Sequence, residues 1–167
     1  MKFSIEKLSP QDAEQLYQFE LENRHFFEKM VPSRGEDYFQ WETFQERHSS
    51  LLEEQASGES HFYLLKEGDV ILGRLNLTID LETKTGDLGY RVGESFTGKG
   101  VAVGALKLLL ENVNRKDVER INARTTSNNI ASQKVLEKNG FVRMGEGESF
   151  EMNGENVTFI HFTWQNI

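Results

Sequence analysis

A strand-like run, a glycine-rich loop and a helix-like run follow one another in mid-chain. They are Leu88-Gly89-Tyr90-Arg91-Val92, then Gly93-Glu94-Ser95-Phe96-Thr97-Gly98-Lys99-Gly100, then Val101-Ala102-Val103-Gly104 and the apolar positions beyond. Such a junction brings unhindered backbone N–H groups and a helix N-terminus to one point, where the helix dipole adds partial positive charge. It suits an anion, and a phosphate-bearing ligand first of all. As a nucleotide P-loop it is incomplete. Gly93 to Lys99 fits G-x-x-x-x-G-K, but Gly100 stands where a Ser or Thr hydroxyl must reach Mg²⁺. As a dinucleotide fingerprint it is out of register, because Gly98-x-Gly100 is followed by a third glycine at 104, one residue late. A turn with a helix cap and no ligand is the plain alternative.

The surrounding pattern decides what fold can carry the loop. Residues 3–8 alternate as a strand, and Ser9-Pro10 opens a helix as N-cap and N1. Ala13, Leu16, Tyr17, Phe19 and Leu21 carry its apolar positions. Pro32-Ser33-Arg34-Gly35 then separates it from a second helix over 36–56. Strands over 61–66 and 70–79 flank the turn at Gly68-Asp69, and a third strand over 88–92 runs into the loop. A helix over 100–114, a strand over 119–124 and a helix over 130–139 closed by Gly140 follow. Strands over 141–143 and 157–164 end the pattern, with a hairpin turn at Asn153-Gly154. The order β-α-α-β-β-β-α-β-α-β-β predicts a single α+β domain over 1–167, a mixed, mostly antiparallel sheet flanked by helices. It is not the strict β-α alternation of a doubly wound nucleotide fold.

Charge narrows the ligands. The 167 residues carry a net charge of −8, which argues against a nucleic-acid binder. The balance is uneven. Residues 97–143 hold nine Lys/Arg against four Asp/Glu, a net +5, and the remainder is −13. A basic segment around a glycine loop suits a polyanion, and an acidic remainder suits a cationic second substrate. There is no Cys, so disulfides, cysteine metal sites and a cysteine nucleophile are excluded, and a cytoplasmic protein is expected. His25, His48, His61 and His161 lack metal-ligand spacing, so no metal is expected. No apolar run approaches membrane length, and the N-terminus lacks a signal-peptide core. Monomer and homodimer stay equally open.

A second motif lies 29 residues beyond Gly100: Asn129-Ile130-Ala131-Ser132, then Val135-Leu136 and Gly140-Phe141. Paired with the loop at this spacing, it resembles the GNAT family of acetyl-coenzyme A-dependent N-acetyltransferases. The loop is similar to the family's Q/R-x-x-G-x-G/A signature, with Thr97 in the place of Gln or Arg. Leu88 to Val92, Phe96-x-Gly98-Lys99-Gly100 and Asn129-x-x-Ser132 resemble the RimJ/RimL branch, which acetylates ribosomal-protein N-termini.

The resemblance implies acetyl-coenzyme A as cosubstrate and a primary amine as acceptor, extending to a ribosomal-protein N-terminus. Backbone N–H groups of Gly98, Gly100, Val101, Ala102 and Val103 would hold the pyrophosphate. The strand end Arg91, Val92 and Gly93 would pair with the pantetheine amides, Asn129 would bond the same arm, and Lys134, with Lys99 or Lys138, would meet a phosphate as a point charge. Ser132 would protonate or hydrogen-bond the leaving thiolate. The base is sought among Asp87, Glu148 and Glu151, with Glu148 favoured by its place along the chain. Phe26, Phe27, Tyr38, Phe39 and Trp41 are candidates for an acceptor pocket. An acyl-coenzyme A sensor without turnover and a polyamine or aminoglycoside acetyltransferase are the alternative functions.

Overall fold

The computed structural model describes residues 2–31, 33–113 and 116–166. Seven strands form one sheet: β1 Ser4–Lys7, β2 Ser60–Glu67, β3 Val70–Asp80, β4 Thr85–Val92, β5 Arg120–Thr126, β6 Val142–Met152 and β7 Glu155–Gln165. Their spatial order is β1-β2-β3-β4-β5-β7-β6. Every neighbouring pair is antiparallel except β4 and β5. Four helices flank the sheet: α1 Ala13–Glu28, α2 Trp41–Ser57, α3 Val101–Asn112 and α4 Ile130–Lys138. The expected α+β architecture and element order are those observed.

Successive apolar residues on β2 and β3 show why the sheet needs cover on both faces. Leu64 and Leu65 point to opposite sides, as do Ile71 and Leu72, and all four are buried. Leu64 and Ile71 pack with Leu16, Phe19, Phe27 and Phe44 of α1 and α2. Leu65 and Leu72 join Val101, Ala105, Leu106, Leu109 and Leu136 of α3 and α4 on the other face. On α1 the buried stripe is Leu16, Phe19, Glu20, Asn23 and Phe27, a helical period that includes two polar residues.

Several boundaries differ from the sequence pattern, and β4 begins at Thr85 rather than at 88, because its first half pairs with both β3 and β5. The second helix does not begin at 36. Glu36–Phe39 is a 3₁₀ turn, Gln40 is extended at φ −87° and ψ 129°, and α2 starts at Trp41. The break turns Tyr38 into the α1–α2 core. The last two strands are longer than expected, because β6 carries two register irregularities and mostly exposed side chains, which hide its alternation. At α1, Ser9-Pro10 opens a 3₁₀ turn, with Asp12 accepting from the Ser9 N–H at 2.8 Å. The boundary residues Pro32 and Asn114 lie outside the described residues.

The β4–α3–β5 crossover positions the site. β4 and β5 pair only from Thr85↔Arg120 to Leu88↔Ala123. Beyond that β4 continues against β3, as far as Val92 opposite Gly73. β5 continues against β7, as far as Thr126 opposite Phe159. The last four residues of β4 and the last three of β5 therefore diverge, and the sheet opens between them.

Candidate active site

The glycine loop leaves the end of β4 at this opening. Gly93 N–H donates to the Leu72 carbonyl at 2.8 Å, a short turn spans Glu94–Phe96, and Gly98 and Gly100 take φ of 73° and 76°. Those left-handed values favour glycine. The first helical bond of α3 runs from Gly104 N–H to the Gly100 carbonyl at 3.0 Å. The N–H groups of Val101, Ala102 and Val103 precede it and have no partner within the helix. Among the described residues, those of Gly98, Lys99 and Gly100 have no backbone acceptor either. A row of unspent donors at a helix N-terminus fits a pyrophosphate. Thr97 does not extend that row, because its hydroxyl donates to the Glu94 carbonyl at 2.8 Å and braces the turn. Gly104 is not a ligand glycine: a Cβ there would lie 2.7 Å from the Phe3 ring, so its bareness lets the N-terminal segment pack on α3.

Across the opening, Asn129 caps α4, its Oδ1 accepting from Ser132 N–H at 3.1 Å. The Asn-x-x-Ser spacing thus has a local purpose, and it fixes Ser132 one turn into the helix. Ser132 Oγ lies 2.8 Å from the Tyr90 hydroxyl, and that hydroxyl also reaches the Ser132 carbonyl at 3.2 Å. Tyr90 has one proton to share. When it bonds Oγ, the serine proton is free to turn into the opening. Burial pushes the Tyr90 phenol up to about 12 despite the Ser132 hydrogen bond, so it stays a donor. Tyr90 was missed in the sequence pattern. Its signal was the alternation with buried Leu88, which puts both on the α3–α4 face. Asn139 ties the two helices, donating to the Val103 carbonyl at 3.2 Å.

The opposite face holds a cleft of about 450 Å³ between the end of α1, the chain after it and the β6–β7 hairpin. Arg24, Glu28, Glu36, Phe150, Glu151 and Met152 line it, and Asn153 closes one side by donating to the Glu28 carbonyl at 2.9 Å. A narrow crevice continues from it, lined by Glu20, Phe27, Arg34, Phe39 and Arg91, and shares Arg24 and Glu28 with the cleft. Of the five aromatic candidates, Phe27 and Phe39 line this crevice. Tyr38 and Phe26 belong to the α1–α2 core, and Trp41 stays 37% exposed. Behind the crevice lies an ion-pair group that the sequence pattern did not reveal. Glu20 Oε1 is 2.6 Å from Arg74, and its Oε2 is 3.5 Å from Arg91. Burial alone would raise the Glu20 carboxyl, but Arg74, Arg91 and Arg34 together hold it below the usual carboxylate range. Asn23 joins this face to the loop, its Oδ1 accepting from Glu94 N–H at 2.8 Å.

The expected base residues fall elsewhere. Asp87 is exposed in the paired half of β4, on the opposite face of the strand from Tyr90. Glu148 is exposed at the second irregularity of β6 and does not line the cleft, whereas Glu151 does. Lys99 and Lys134 are exposed and, among the described residues, form no ion pair. Among the described residues no group of three His, Cys, Asp or Glu could hold a metal, and no helix is long and apolar enough to cross a membrane.

The chain is similar to known proteins in both sequence and fold. A family model described as an acetyltransferase (GNAT) domain matches residues 2–142. A probable N-acetyltransferase of Bacillus subtilis, YjcK, is 30% identical over 84% of this chain and 81% of its own length. The ribosomal protein uS5-alanine N-acetyltransferase of Escherichia coli is 27% identical over 83% of this chain and 74% of its own. A solved structure of RimL, the ribosomal L7/L12 α-N-protein acetyltransferase, in complex with coenzyme A, superposes with a TM-score of 0.89. It is 21% identical and covers 99% of this chain and 94% of that one.

Proposed function

Because the chain belongs to the GNAT acetyltransferase family and uses acetyl-coenzyme A, we propose that its acceptor is the N-terminal α-amine of a protein or peptide. One observation supports this most: the sheet opening joins two differently built faces. The α3–α4 face carries the unspent N–H groups and the Tyr90–Ser132 pair. The α1 face carries a cleft with the acidic residues Glu28, Glu36 and Glu151. Acceptors named for relatives, a ribosomal-protein alanine among them, point the same way.

On this reading the donors from Gly98 to Val103 hold the pyrophosphate, and Lys99 and Lys134 are placed to meet phosphate as exposed cations. The backbone of Arg91, Val92 and Gly93 lines up the pantetheine arm, the N–H near Val92 donates to the oxyanion, and Asn129 completes the arm's seat while capping α4. Acetyl-coenzyme A supplies the activated thioester. Ser132 donates a hydrogen bond to the departing sulfur, with Tyr90 holding the serine hydroxyl in that orientation. An α-amine titrates at roughly 7.7–8.0, so a modest base suffices, directly or through water. The reading assigns Glu151, which lines the cleft, to the part first expected of Glu148, and gives Asp87 no part. The lack of cysteine excludes a cysteine acyl-enzyme, and on this reading transfer is direct. A cytoplasmic location belongs to the same proposal. An assay of free thiol released from acetyl-coenzyme A, run with N-terminal peptides, lysine, polyamines and aminoglycosides, tests it. Turnover on the peptides is expected. Coenzyme A binding with no turnover on any amine would instead support a sensor.

A further inference from the structure

Acetyl transfer as described uses the backbone of Arg91 and gives its side chain no part. That side chain lies on the α1 face, its guanidinium carbon 4.7 Å from the centre of the Phe27 ring. Its nearest anion is Glu20, which is 1% exposed and already held by Arg74 at 2.6 Å. Tyr38 brings in a third cation, its hydroxyl oxygen accepting from Arg34 at 2.9 Å and from Arg74 at 3.2 Å. One buried carboxylate therefore serves three guanidinium groups. Neutralising the Glu20 charge would need only Arg74.

The donors tell the same story. A guanidinium has five N–H groups in a planar fork suited to a carboxylate. Among the described residues Arg91 has one acceptor, Glu20 at 3.5 Å, while none of its nitrogens is sealed from solvent without a partner. Arg91 lines the crevice that leads to the cleft, a space of about 10 Å³ that must widen to admit a carboxylate. Burial and the Arg34 charge lower the guanidinium to about 10 against the opposing pull of Glu20. The phosphates of the cosubstrate do not fill the role, since the loop that suits them lies with α3 on the other face of the sheet.

We infer that the Arg91 guanidinium, with Arg34 beside it, binds a carboxylate that the acceptor carries close to the amine being acetylated. The inference rests on the N-acetyltransferase reading and narrows its substrate class. Arg91 precedes the strand end, so the carboxylate lies within about two residues of the amine, at ~3.3–3.6 Å of extended chain each. Two sources share that chemistry: the α-carboxylate of a free amino acid, and an Asp or Glu side chain at the second or third residue of a peptide.

The test uses two matched pairs: an amino acid with its amide, and an acidic N-terminal peptide with its Asn or Gln counterpart. For each, kcat/KM is measured, together with calorimetric binding to the protein loaded with coenzyme A. In at least one pair the carboxylate member is expected to win by about tenfold or more, and the winning pair identifies the source. In Arg91→Met that ratio is expected to fall to about twofold or less, and Arg91→Lys to keep part of it, since it retains the charge but not the fork. Arg91→Met leaves Glu20 paired with Arg74, and the ratio within each variant cancels any change in cosubstrate binding. Equal values in both pairs, binding of none of the four, or a preference that survives Arg91→Met would overturn the inference. Absence of turnover with every acceptor would instead overturn the acetyltransferase reading, and the calorimetric ratios would still decide on the carboxylate site.

Discussion

Glu20 shows how much can hang on one residue. It is buried between Arg74 and Arg91, and its loss strands a buried cation. Glu20→Gln should lower stability by about 3–5 kcal/mol at neutral pH, read from thermal or urea unfolding. The pH dependence has a definite sign. The folded carboxyl titrates below its ordinary 4.5, so its stabilisation is complete above that value and drains away as pH falls through the folded one. The variant should lack that part of the acid limb. On the proposed reading, Ser132 acts on rate instead. Ser132→Ala should lower kcat by on the order of 10²-fold with little change in KM for acetyl-coenzyme A, and Tyr90→Phe should lower it less. Sequence revealed these residues unequally. Ser132 was legible through Asn129-x-x-Ser132, the motif that carries the family resemblance when paired with the glycine loop. Glu20 was not, because its partner lies 54 residues away and an acid on a helix looks solvated. Arg74 did leave a trace, as a lone charge inside Val70-Ile71-Leu72-Gly73-Arg74-Leu75, a run otherwise fit for a buried strand.

At the scale of elements, the site depends on where β4 stops pairing. A Cβ at Gly73 would lie 2.5 Å from the Arg91 carbonyl oxygen and 3.2 Å from Val92 Cα, both backbone atoms that cannot swing aside. Gly73→Ala should therefore push the end of β4 out of line, costing about 1–3 kcal/mol in stability and lowering kcat/KM. On the loop, Gly100→Asp should weaken coenzyme A binding by on the order of 100-fold in calorimetry, because a carboxylate would face the pyrophosphate from a left-handed position. Unchanged affinity would remove the phosphate from this loop. The strand–loop–helix junction was legible because its glycines and its apolar period are local. The divergence of β4 from β5 was not, since it comes from β5 continuing on β7 while β4 continues on β3, a matter of non-local register. The length of β6 was hidden for a related reason: an edge strand with irregular register and exposed side chains has no alternation to read.

For the whole molecule, the sheet acts as a partition with one gate. On the proposed reading, phosphate recognition lies on the α3–α4 side, the cleft lies on the α1 side with the arginine group behind its crevice, and the opening between β4 and β5 lets the two substrates meet. The charge asymmetry along the sequence maps only partly onto this plan. The cleft rim is acidic, as the −13 remainder suggested, but the crevice beyond it is lined by Arg34 and Arg91, with Arg74 buried behind them. The central claim is transfer through that gate to an α-amine. It is tested most directly by giving the protein isotopically labelled acetyl-coenzyme A and a peptide with both a free N-terminus and an internal lysine, then locating the label by fragmentation mass spectrometry. A single labelled acetyl group on the α-amine is the expected result. Label on the lysine, or none despite saturable coenzyme A binding, would contradict it.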